Sequence, residues 1–162
     1  MEIPVLIAFG ANLGNREQTI SQAVELLLKT GAVREISLSK LYETEPVGFK
    51  DQPFFINAAL KGTTQLSPEI LLKTCRDIET QLGRTPRAKW HEREIDIDIL
   101  LYGKEILLKE DVEIPHPRMQ ERRFVLLPAS DVASEMIHPV FKKSVAELLK
   151  ECEDMSLVSA VS

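Results

Sequence analysis

The sequence predicts an α+β fold with a ferredoxin-like βαββαβ core, because its predicted elements run strand, helix, strand, strand, helix, strand. Three observations support this order: apolar runs of strand length, two amphipathic helices with start and stop signals, and polar connections between them. Such a core has a mainly antiparallel sheet with its helices on one face, which leaves the other face free for ligands. With 162 residues, 44% of them hydrophobic, we expect one domain over residues 1–162.

The first three strands and the first helix are predicted by apolar spacing. Residues 3–10 form an apolar run of strand length, and the turn formers of 11–15 follow it. The first helix has apolar residues at helical spacing and ends near Gly31; these are Ile20, Ala23, Val24, Leu27 and Leu28. Two further strands are predicted over 33–42 and 54–64.

The second helix, the fourth strand and the C-terminal additions complete the chain. Ser67-Pro68 is a helix start, and the buried stripe before Gly83 consists of Leu71, Cys75, Ile78 and Leu82. A strand over 95–101 completes the core, and 105–108 is expected to pair back on it after a turn. The apolar run 124–127 and a helix near 144–151 are C-terminal additions that the sequence does not place on the sheet.

Two aspartates share one face of the fourth strand. Asp96 and Asp98 alternate with isoleucines, so they lie roughly 7 Å apart on one side while Ile95, Ile97 and Ile99 point into the core. Like charges on one strand face repel, and Asp is disfavoured in strands. A hard divalent cation that also binds substrate phosphates would account for the pair. The alternative is a half-exposed strand with a solvated acidic face.

The polar segment before this strand is basic. Residues 84–93 contain four basic residues, Arg84, Arg87, Lys89 and Arg93, against the single acid Glu92. Arginines bind phosphate oxygens in bidentate fashion, so a Mg²⁺-bound polyphosphate would suit this segment beside the two aspartates. The alternative is a solvated loop whose bases pair with neighbouring glutamates. Trp90 is unusual in such a loop, although it could equally anchor the loop to the core.

Two further groups are candidates for ligand binding. His116 stands between two prolines that restrict its backbone, and it could either donate to a phosphate or cap the turn. Phe55 and Asn57 are two residues apart on one strand and therefore share a face, where an aromatic ring and an amide could bind a flat heterocycle. The alternative for that pair is a core Phe and an Asn that satisfies a turn.

Composition and charge argue against several classes of protein and kinds of site. The net charge of −5 and pI near 5.3 argue against a general nucleic-acid binder. The apolar run near the N-terminus is too short to span a membrane and has no basic leader, so we expect a cytoplasmic protein. The two cysteines form no Cys-x-x-Cys motif, and Cys75 is expected to be a buried thiol. Neither glycine-rich nucleotide motif is present, so a nucleotide would be held by side chains and metals.

Five motifs in order resemble the 6-hydroxymethyl-7,8-dihydropterin pyrophosphokinase family, from about residue 5 to Pro139. They are Gly10-Ala11-Asn12-Leu13-Gly14; Tyr42-Glu43-Thr44-Glu45-Pro46 with Asp51-Gln52-Pro53-Phe54-Phe55-Ile56-Asn57; Gly83-Arg84 with Trp90 and Arg93; Ile95-Asp96-Ile97-Asp98-Ile99-Leu100; and Pro115-His116-Pro117-Arg118-Met119 with Glu121-Arg122-Arg123-Phe124-Val125-Leu126. The resemblance implies a ferredoxin-like monomer that transfers pyrophosphate from ATP to the hydroxymethyl group of the pterin and releases AMP, in folate biosynthesis.

The same resemblance implies roles for individual residues. Asp96 and Asp98 would hold two Mg²⁺ ions, and together with Arg84 and Arg93 they would form the catalytic set. The ATP contacts would be Glu79, Arg84, Trp90, Arg93, Ile99, His116 and Arg122. The pterin contacts would be Thr44, Val47 and Asn57 at the ring edge, with Phe55 and Phe124 on the two ring faces. His91-Glu92 replaces the Gly-Pro pair that family members often have, and either Arg87 or Lys89 could supply a further basic contact.

Two other classes fit parts of the pattern. A ferredoxin-like regulatory module would bind small molecules or RNA, but it would have no need of paired strand aspartates beside a basic segment. Another metal-dependent phosphoryl or nucleotidyl transferase would share the aspartates, but it predicts no role for Phe55, Asn57 and Phe124.

Overall fold

The computed structural model describes residues 1–45, 51–83 and 95–161. Its strands are β1 (Ile3–Ala11), β2 (Arg34–Leu38), β3 (Tyr42–Thr44), β4 (Phe55–Thr64), β5 (Asp96–Tyr102), β6 (Leu107–Leu108), β7 (Glu113–Ile114), β8 (Ile137–His138), β9 (Lys143–Ser144) and β10 (Val158–Ala160). Its helices are α1 (Arg16–Lys29), α2 (Pro68–Gln81), α3 (Arg123–Ala133) and α4 (Val145–Glu151), with a 3₁₀ turn at Met119–Glu121. No helix within the described ranges is long and apolar enough to cross a membrane.

Six strands form the main sheet, in the order β10, β3, β4, β1, β5, with β2 also paired to β4. Every pairing in this sheet is antiparallel. The central position of β1, between β4 and β5, is that of a ferredoxin-like βαββαβ core. The predicted α+β fold class is confirmed.

The predicted single strand over 33–42 is wrong, because the chain forms two strands there. β2 pairs with the C-terminal half of β4, and β3 pairs with its N-terminal half. Ser39 separates them: its backbone N–H donates to the Ala59 carbonyl at 2.9 Å, and its Oγ accepts from the Ala59 N–H at 2.8 Å. A side-chain oxygen thus replaces a backbone acceptor in the ladder, and apolar alternation alone does not reveal such a substitution.

The helices α1 and α2 pack on one face of the sheet, as predicted. Their buried residues, Ile20, Ala23, Leu27, Leu71, Cys75 and Ile78, meet the inward residues of β1, β4 and β5. Both helices begin with a side-chain cap, because Asn15 accepts from the Gln18 N–H and Ser67 accepts from the Ile70 N–H. Gly31 has a φ of 75° just after α1, a conformation in which a side chain would be strained.

The C-terminal helices cover part of the opposite face. α3 and α4 pack through a second core, in which Leu126 and Ala129 of α3 contact residues of the sheet such as Leu6, Ala59 and Leu100. The predicted return of 105–108 to the fourth strand is wrong, since β6 pairs with β7 in a separate hairpin. Because α3 covers only part of this face, the described residues leave a cleft over the remainder.

A hydrogen bond fixes α3 to β3. The Tyr42 hydroxyl donates to Asp131 Oδ2 at 2.8 Å, and the Lys40 N–H donates to the same oxygen at 3.2 Å. Burial, followed by the hydrogen bond and the charge of Asp131, raises the pKa of Tyr42 to about 12. The tyrosine therefore stays a neutral donor well above pH 10.

We expect Tyr42→Phe to lower the free energy of unfolding at pH 8 by about 1 kcal/mol, because the ring stays while the hydrogen bond is lost. Between pH 10 and 12 the unfolded tyrosine ionises and the folded one does not, so stability falls with rising pH. The advantage of Tyr over Phe should therefore shrink across that window. Urea titrations of both proteins at pH 8, 10 and 11 measure it; a constant or growing difference contradicts the role of this bond.

Candidate functional site

The floor of the cleft is formed by three neighbouring strands. On the face opposite α1 and α2, β1 contributes Ala8 and Gly10, β4 contributes Phe55 and Asn57, and β5 contributes Asp96 and Asp98. Gly10 is opposite Asn57 in one ladder and opposite Asp96 in the other, and Ala8 is opposite Asp98. The aromatic-amide pair and the carboxylate pair thus lie two strand spacings apart, about 10 Å, across β1.

Small residues on β1 keep this floor open. A Cβ on Gly10 would stand 3.0 Å from Oδ1 of Asn57 and 3.8 Å from the Phe55 ring. A larger residue there would fill the space between the two pairs. The walls of the resulting cleft come from β3, from the segment before α3 and from the start of α3: Thr44, Glu45, His116, Arg122, Phe124 and Val125.

The Asp98 carboxyl lies close to two other acidic side chains. Burial, the charge of Asp96 and the charge of Glu79 together raise the pKa of Asp98 to about 7, although Arg76 opposes the shift. Within residues 1–45, 51–83 and 95–161, no group of three or more His, Cys, Asp or Glu is arranged to hold a metal. Two carboxylates suit a hard cation such as Mg²⁺, which completes its shell with water and substrate phosphate oxygens.

An ion pair on α2, between exposed Arg76 and buried Glu79, supports β5. Glu79 is 3% exposed, and its Oε2 accepts from the Ile97 N–H at 2.7 Å and from Arg76 Nη1 at 2.8 Å. The same Arg76 nitrogen donates to the Ile97 carbonyl at 2.8 Å. The two side chains therefore satisfy both backbone groups of Ile97 on the outer edge of β5, where the sheet offers no further strand.

Arg76 also reaches one of the two aspartates. Its Nη2 lies 3.8 Å from Asp98 Oδ1. Arg76 was not predicted as a site residue from the sequence. It stands three residues before Glu79 on α2, and side chains at that spacing on a helix can meet. Glu79, in contrast, was expected near ATP, and it does not line the cleft.

His116 both caps its turn and lines the cleft. The ring atom Nδ1 of His116 accepts from the Arg118 N–H at 3.2 Å, and the backbone N–H of His116 donates to the Leu100 carbonyl on β5. Burial, then the charge of Arg122, lowers the pKa of His116 to about 4, so the imidazole is neutral at pH 7. Since Nδ1 is an acceptor, the ring proton is assigned to Nε2, which leaves a donor available to a ligand. Turn capping is thus observed, and donation to a phosphate stays a prediction.

The other side of the cleft combines aromatic rings with a fixed amide. Phe55 and Phe124 both line it. Asn57 Nδ2 donates to Thr44 Oγ1 at 2.6 Å, and both residues are more than 90% buried. With the nitrogen committed to Thr44, Oδ1 faces Gly10 and can accept a hydrogen bond from a ligand in the cleft. The guanidinium of Arg122 lies 5.7 Å from the centre of the Phe124 ring, within cation–π range.

Two residues of the first turn hold the approach to β4. Asn12 is 1% exposed and donates to Gln52 Oε1 at 2.8 Å and to the Pro53 carbonyl at 3.0 Å. Arg16 donates to the Phe54 carbonyl at 2.8 Å and pairs with Glu43 of β3 at 3.1 Å. No role for these two residues was predicted from the sequence, because their contacts with residues 52–54 are visible only in the folded structure.

Some of the expected site residues fall outside the described ranges, and the side chain of one lies in the core. Six lie outside the described residues: Val47, Arg84, Arg87, Lys89, Trp90 and Arg93. Ile99 was expected among the ATP contacts, but its side chain is 5% exposed and packs in the core between the sheet and α1 and α2. The alternation that sends Asp96 and Asp98 into the cleft sends Ile99 to the other face.

Comparison with known proteins is consistent with this geometry. Residues 6–134 match the family model described as 7,8-dihydro-6-hydroxymethylpterin-pyrophosphokinase. The chain is 44% identical to the 2-amino-4-hydroxy-6-hydroxymethyldihydropteridine pyrophosphokinase of Bacillus subtilis over 80% of this chain and 78% of that protein. It is 35% identical to the protein of the same name from Haemophilus influenzae, over 96% of this chain and 97% of that protein.

Longer proteins also match over part of their length. The folic acid synthesis protein fol1 of Pneumocystis carinii is 43% identical over 93% of this chain, which spans only 20% of that protein. The solved structure of Plasmodium falciparum HPPK-DHPS superposes with a TM-score of 0.72 over 93% of this chain and 45% of that one. At 15% sequence identity, this superposition shows a shared fold.

We expect Glu79→Ala to lower the free energy of unfolding by about 2 kcal/mol, because the Ile97 N–H and the Arg76 guanidinium both lose their acceptor. Glu79→Gln keeps a carbonyl oxygen in the same place and should cost less. Urea titrations of the three proteins measure the difference. Equal stability of Glu79→Ala and the parent protein would show that this pair does not support β5.

Proposed function

The chain belongs to the 7,8-dihydro-6-hydroxymethylpterin-pyrophosphokinase family, and we propose that its cleft carries out the family's reaction. The chain is an ATP-dependent diphosphotransferase of folate biosynthesis: it transfers pyrophosphate to the hydroxymethyl group of 6-hydroxymethyl-7,8-dihydropterin. The observation that supports the proposed site is the spacing on its floor. A carboxylate pair on β5 and an aromatic-amide pair on β4 face the same cleft, about 10 Å apart.

The pterin would occupy the β4 side of the cleft. Phe55 and Phe124 would contact its two ring faces, and such aromatic contacts contribute both buried area and a preferred parallel geometry. Asn57 Oδ1 would accept a hydrogen bond from the ring edge, because Thr44 already holds the amide nitrogen. Thr44 would therefore fix the direction in which Asn57 presents its acceptor.

The triphosphate would lie on the β5 side. Two Mg²⁺ ions held by Asp96 and Asp98 would neutralise phosphate charge and align the transferring group. Arg122 and the Nε2 proton of neutral His116 would donate to phosphate oxygens from the opposite wall. The proposed phosphate contacts Arg84 and Arg93, and the proposed nucleotide contact Trp90, extend this set beyond the described residues.

The reaction forms one bond and breaks one. The hydroxymethyl oxygen attacks the β-phosphorus in line, the bond from that phosphorus to the α-phosphate oxygen breaks, and AMP leaves. The hydroxyl proton passes to solvent. Such a transfer depends on alignment and on charge neutralisation more than on a strong base, which agrees with a pKa of about 4 for His116, since so low a pKa makes the imidazole a weak base.

We expect the purified protein, incubated with ATP, Mg²⁺ and the hydroxymethyl pterin, to form AMP and the pyrophosphorylated pterin in equal amounts. Chromatography of the nucleotides measures this directly. Formation of ADP instead of AMP, or turnover that continues without the pterin, would contradict the proposed reaction.

Asp98→Asn should lower kcat by at least about 10²-fold, because one oxygen ligand of the metal site loses its charge. The fold should be retained, since the variant removes a carboxylate that burial and Asp96 disfavour in its charged form. Thermal unfolding at pH 8 separates the two effects. Mg²⁺ with ATP should stabilise the parent protein and not the variant; a variant that Mg²⁺ stabilises equally would contradict the assigned ligand.

A further inference from the structure

We propose that the C-terminal segment 154–161, here called the C-terminal strap, is a positioning element that holds two walls of the substrate cleft in register. The inference rests on the proposed pterin site and goes beyond it. The strap lies outside residues 6–134, the part of the chain that matches the family model. Its hydrogen bonds reach the backbone of Arg123 and of β3 rather than a side chain proposed to contact phosphate or metal, so its effect would act through the elements it holds.

The first anchor of the strap is at the start of α3. Asp154 Oδ2 accepts from the Arg123 N–H, the first backbone donor of the helix, at 2.9 Å. The residue that precedes the helix, Arg122, provides no side-chain cap, so Asp154 supplies the cap from 31 residues away. Arg122 and Phe124, on either side of this capped position, both line the cleft.

The Asp154 carboxylate is itself held in place. Its Oδ1 accepts from the Ser156 N–H at 2.9 Å and from the Ser156 hydroxyl at 2.6 Å. Although burial opposes ionisation, the hydrogen bonds from Ser156 and from the Arg123 N–H keep the pKa of Asp154 below its usual value. The cap is therefore a charged acceptor with a fixed orientation. Hydrogen bonds to a charged acceptor are stronger than those to a neutral one.

The second anchor is on β3. In the β10–β3 ladder, Val158 is opposite Thr44 and Ala160 is opposite Tyr42. The Val161 N–H then donates to the Leu41 carbonyl at 2.8 Å, and the Val161 side chain packs against the core beneath α1 and α2. Without β10, the three-residue strand β3 would be the edge of the sheet, with one side of its backbone unpaired.

These two anchors act on opposite sides of one binding site. The α3 anchor sets the position of Phe124, and the β3 anchor sets the position of Thr44, which orients Asn57. One continuous segment of eight residues therefore fixes the distance between the ring contact on α3 and the edge contact on β3. The carboxylates on β5 lie on the far side of β1 and are not touched by the strap.

A specific kinetic signature follows. Loosening the strap should weaken pterin binding, because the site then has to be ordered when the ligand binds. The rate at saturating substrates should be retained, because the groups on β5 keep their arrangement and the Arg122 backbone keeps its bonds to Met119, Val125 and Leu126. A merely structural role would lower stability without separating the pterin KM from kcat.

The test compares three variants with the parent protein. Asp154→Ala removes the α3 cap, deletion of 157–162 removes the β3 anchor, and Ser159→Ala is the matched control because Ser159 is exposed and its backbone pairing is kept. We expect the pterin Kd and KM to rise about 10-fold in the first two, with kcat within about twofold, and no change in the control. Asp154→Asn, which keeps one acceptor oxygen, should recover part of the loss.

Hydrogen exchange provides a readout that does not depend on the proposed function. The amides of Glu43 and Arg123 should exchange faster in the deletion and in Asp154→Ala, respectively, even without ligand, because the strap accepts from each of them. If the deletion variant does not fold, Asp154→Ala decides the question alone. Unchanged pterin affinity in folded Asp154→Ala, or a fall in kcat at unchanged pterin affinity, would overturn the inference.

The two proposals fail in different ways. If the parent protein neither binds the pterin nor releases AMP, the proposed function is wrong, and the exchange data then decide for or against the strap by themselves. If the parent protein turns over normally and Asp154→Ala does so with the same pterin KM, only the strap is wrong.

Discussion

The alternation of side chains along β5 is the constraint on which the rest of the site depends. Ile95, Ile97 and Ile99 are at most 5% exposed in the core beneath α1 and α2, so Asp96 and Asp98 can only face the other side of the sheet. A shift of one residue in the β1–β5 register would bury two carboxylates in that core, at a prohibitive cost. The apolar core therefore determines where the negative charge of the site lies.

Two further features turn that face into a cleft. Gly10 leaves the space above β1 open between the aromatic-amide pair and the carboxylates, and α3 covers only the adjoining part of the sheet. The bond from Tyr42 to Asp131 and the cap that Asp154 provides keep α3 at a fixed position over β3 and β4. The site thus lies beside the core that α3 and α4 form on the sheet. The bonds of Tyr42 and Asp154 to α3 set the width of the cleft.

Much of this was predictable because it depends on local periodicity. The isoleucine-aspartate alternation predicted the shared face of Asp96 and Asp98, and apolar spacing, with the helix start at Ser67-Pro68, predicted both core helices. What the sequence did not predict depends on contacts between distant segments. The break at Ser39 arises from a hydrogen bond with Ala59, the support of Ile97 comes from Arg76 on another element, and α3 is placed by a core that forms only once the sheet exists. The Ile99 side chain lies in the core, so a contact of Ile99 with ATP stays a prediction that this side chain does not support from within the cleft.

The central claim is that the carboxylates proposed to bind the metal and the residues proposed to contact the pterin share one floor, about 10 Å apart across β1. Paramagnetic relaxation tests it directly, with Mn²⁺ in place of Mg²⁺, a non-hydrolysable ATP analogue and isotope-labelled protein. We expect the strongest broadening at the amides of Gly10, Asp96 and Asp98, weaker broadening at Asn57, and none at the distant β8–β9 hairpin. Broadening centred elsewhere in the described chain, with Asp96 and Asp98 unaffected, would contradict the placement of the metal and with it the proposed arrangement of the two substrates.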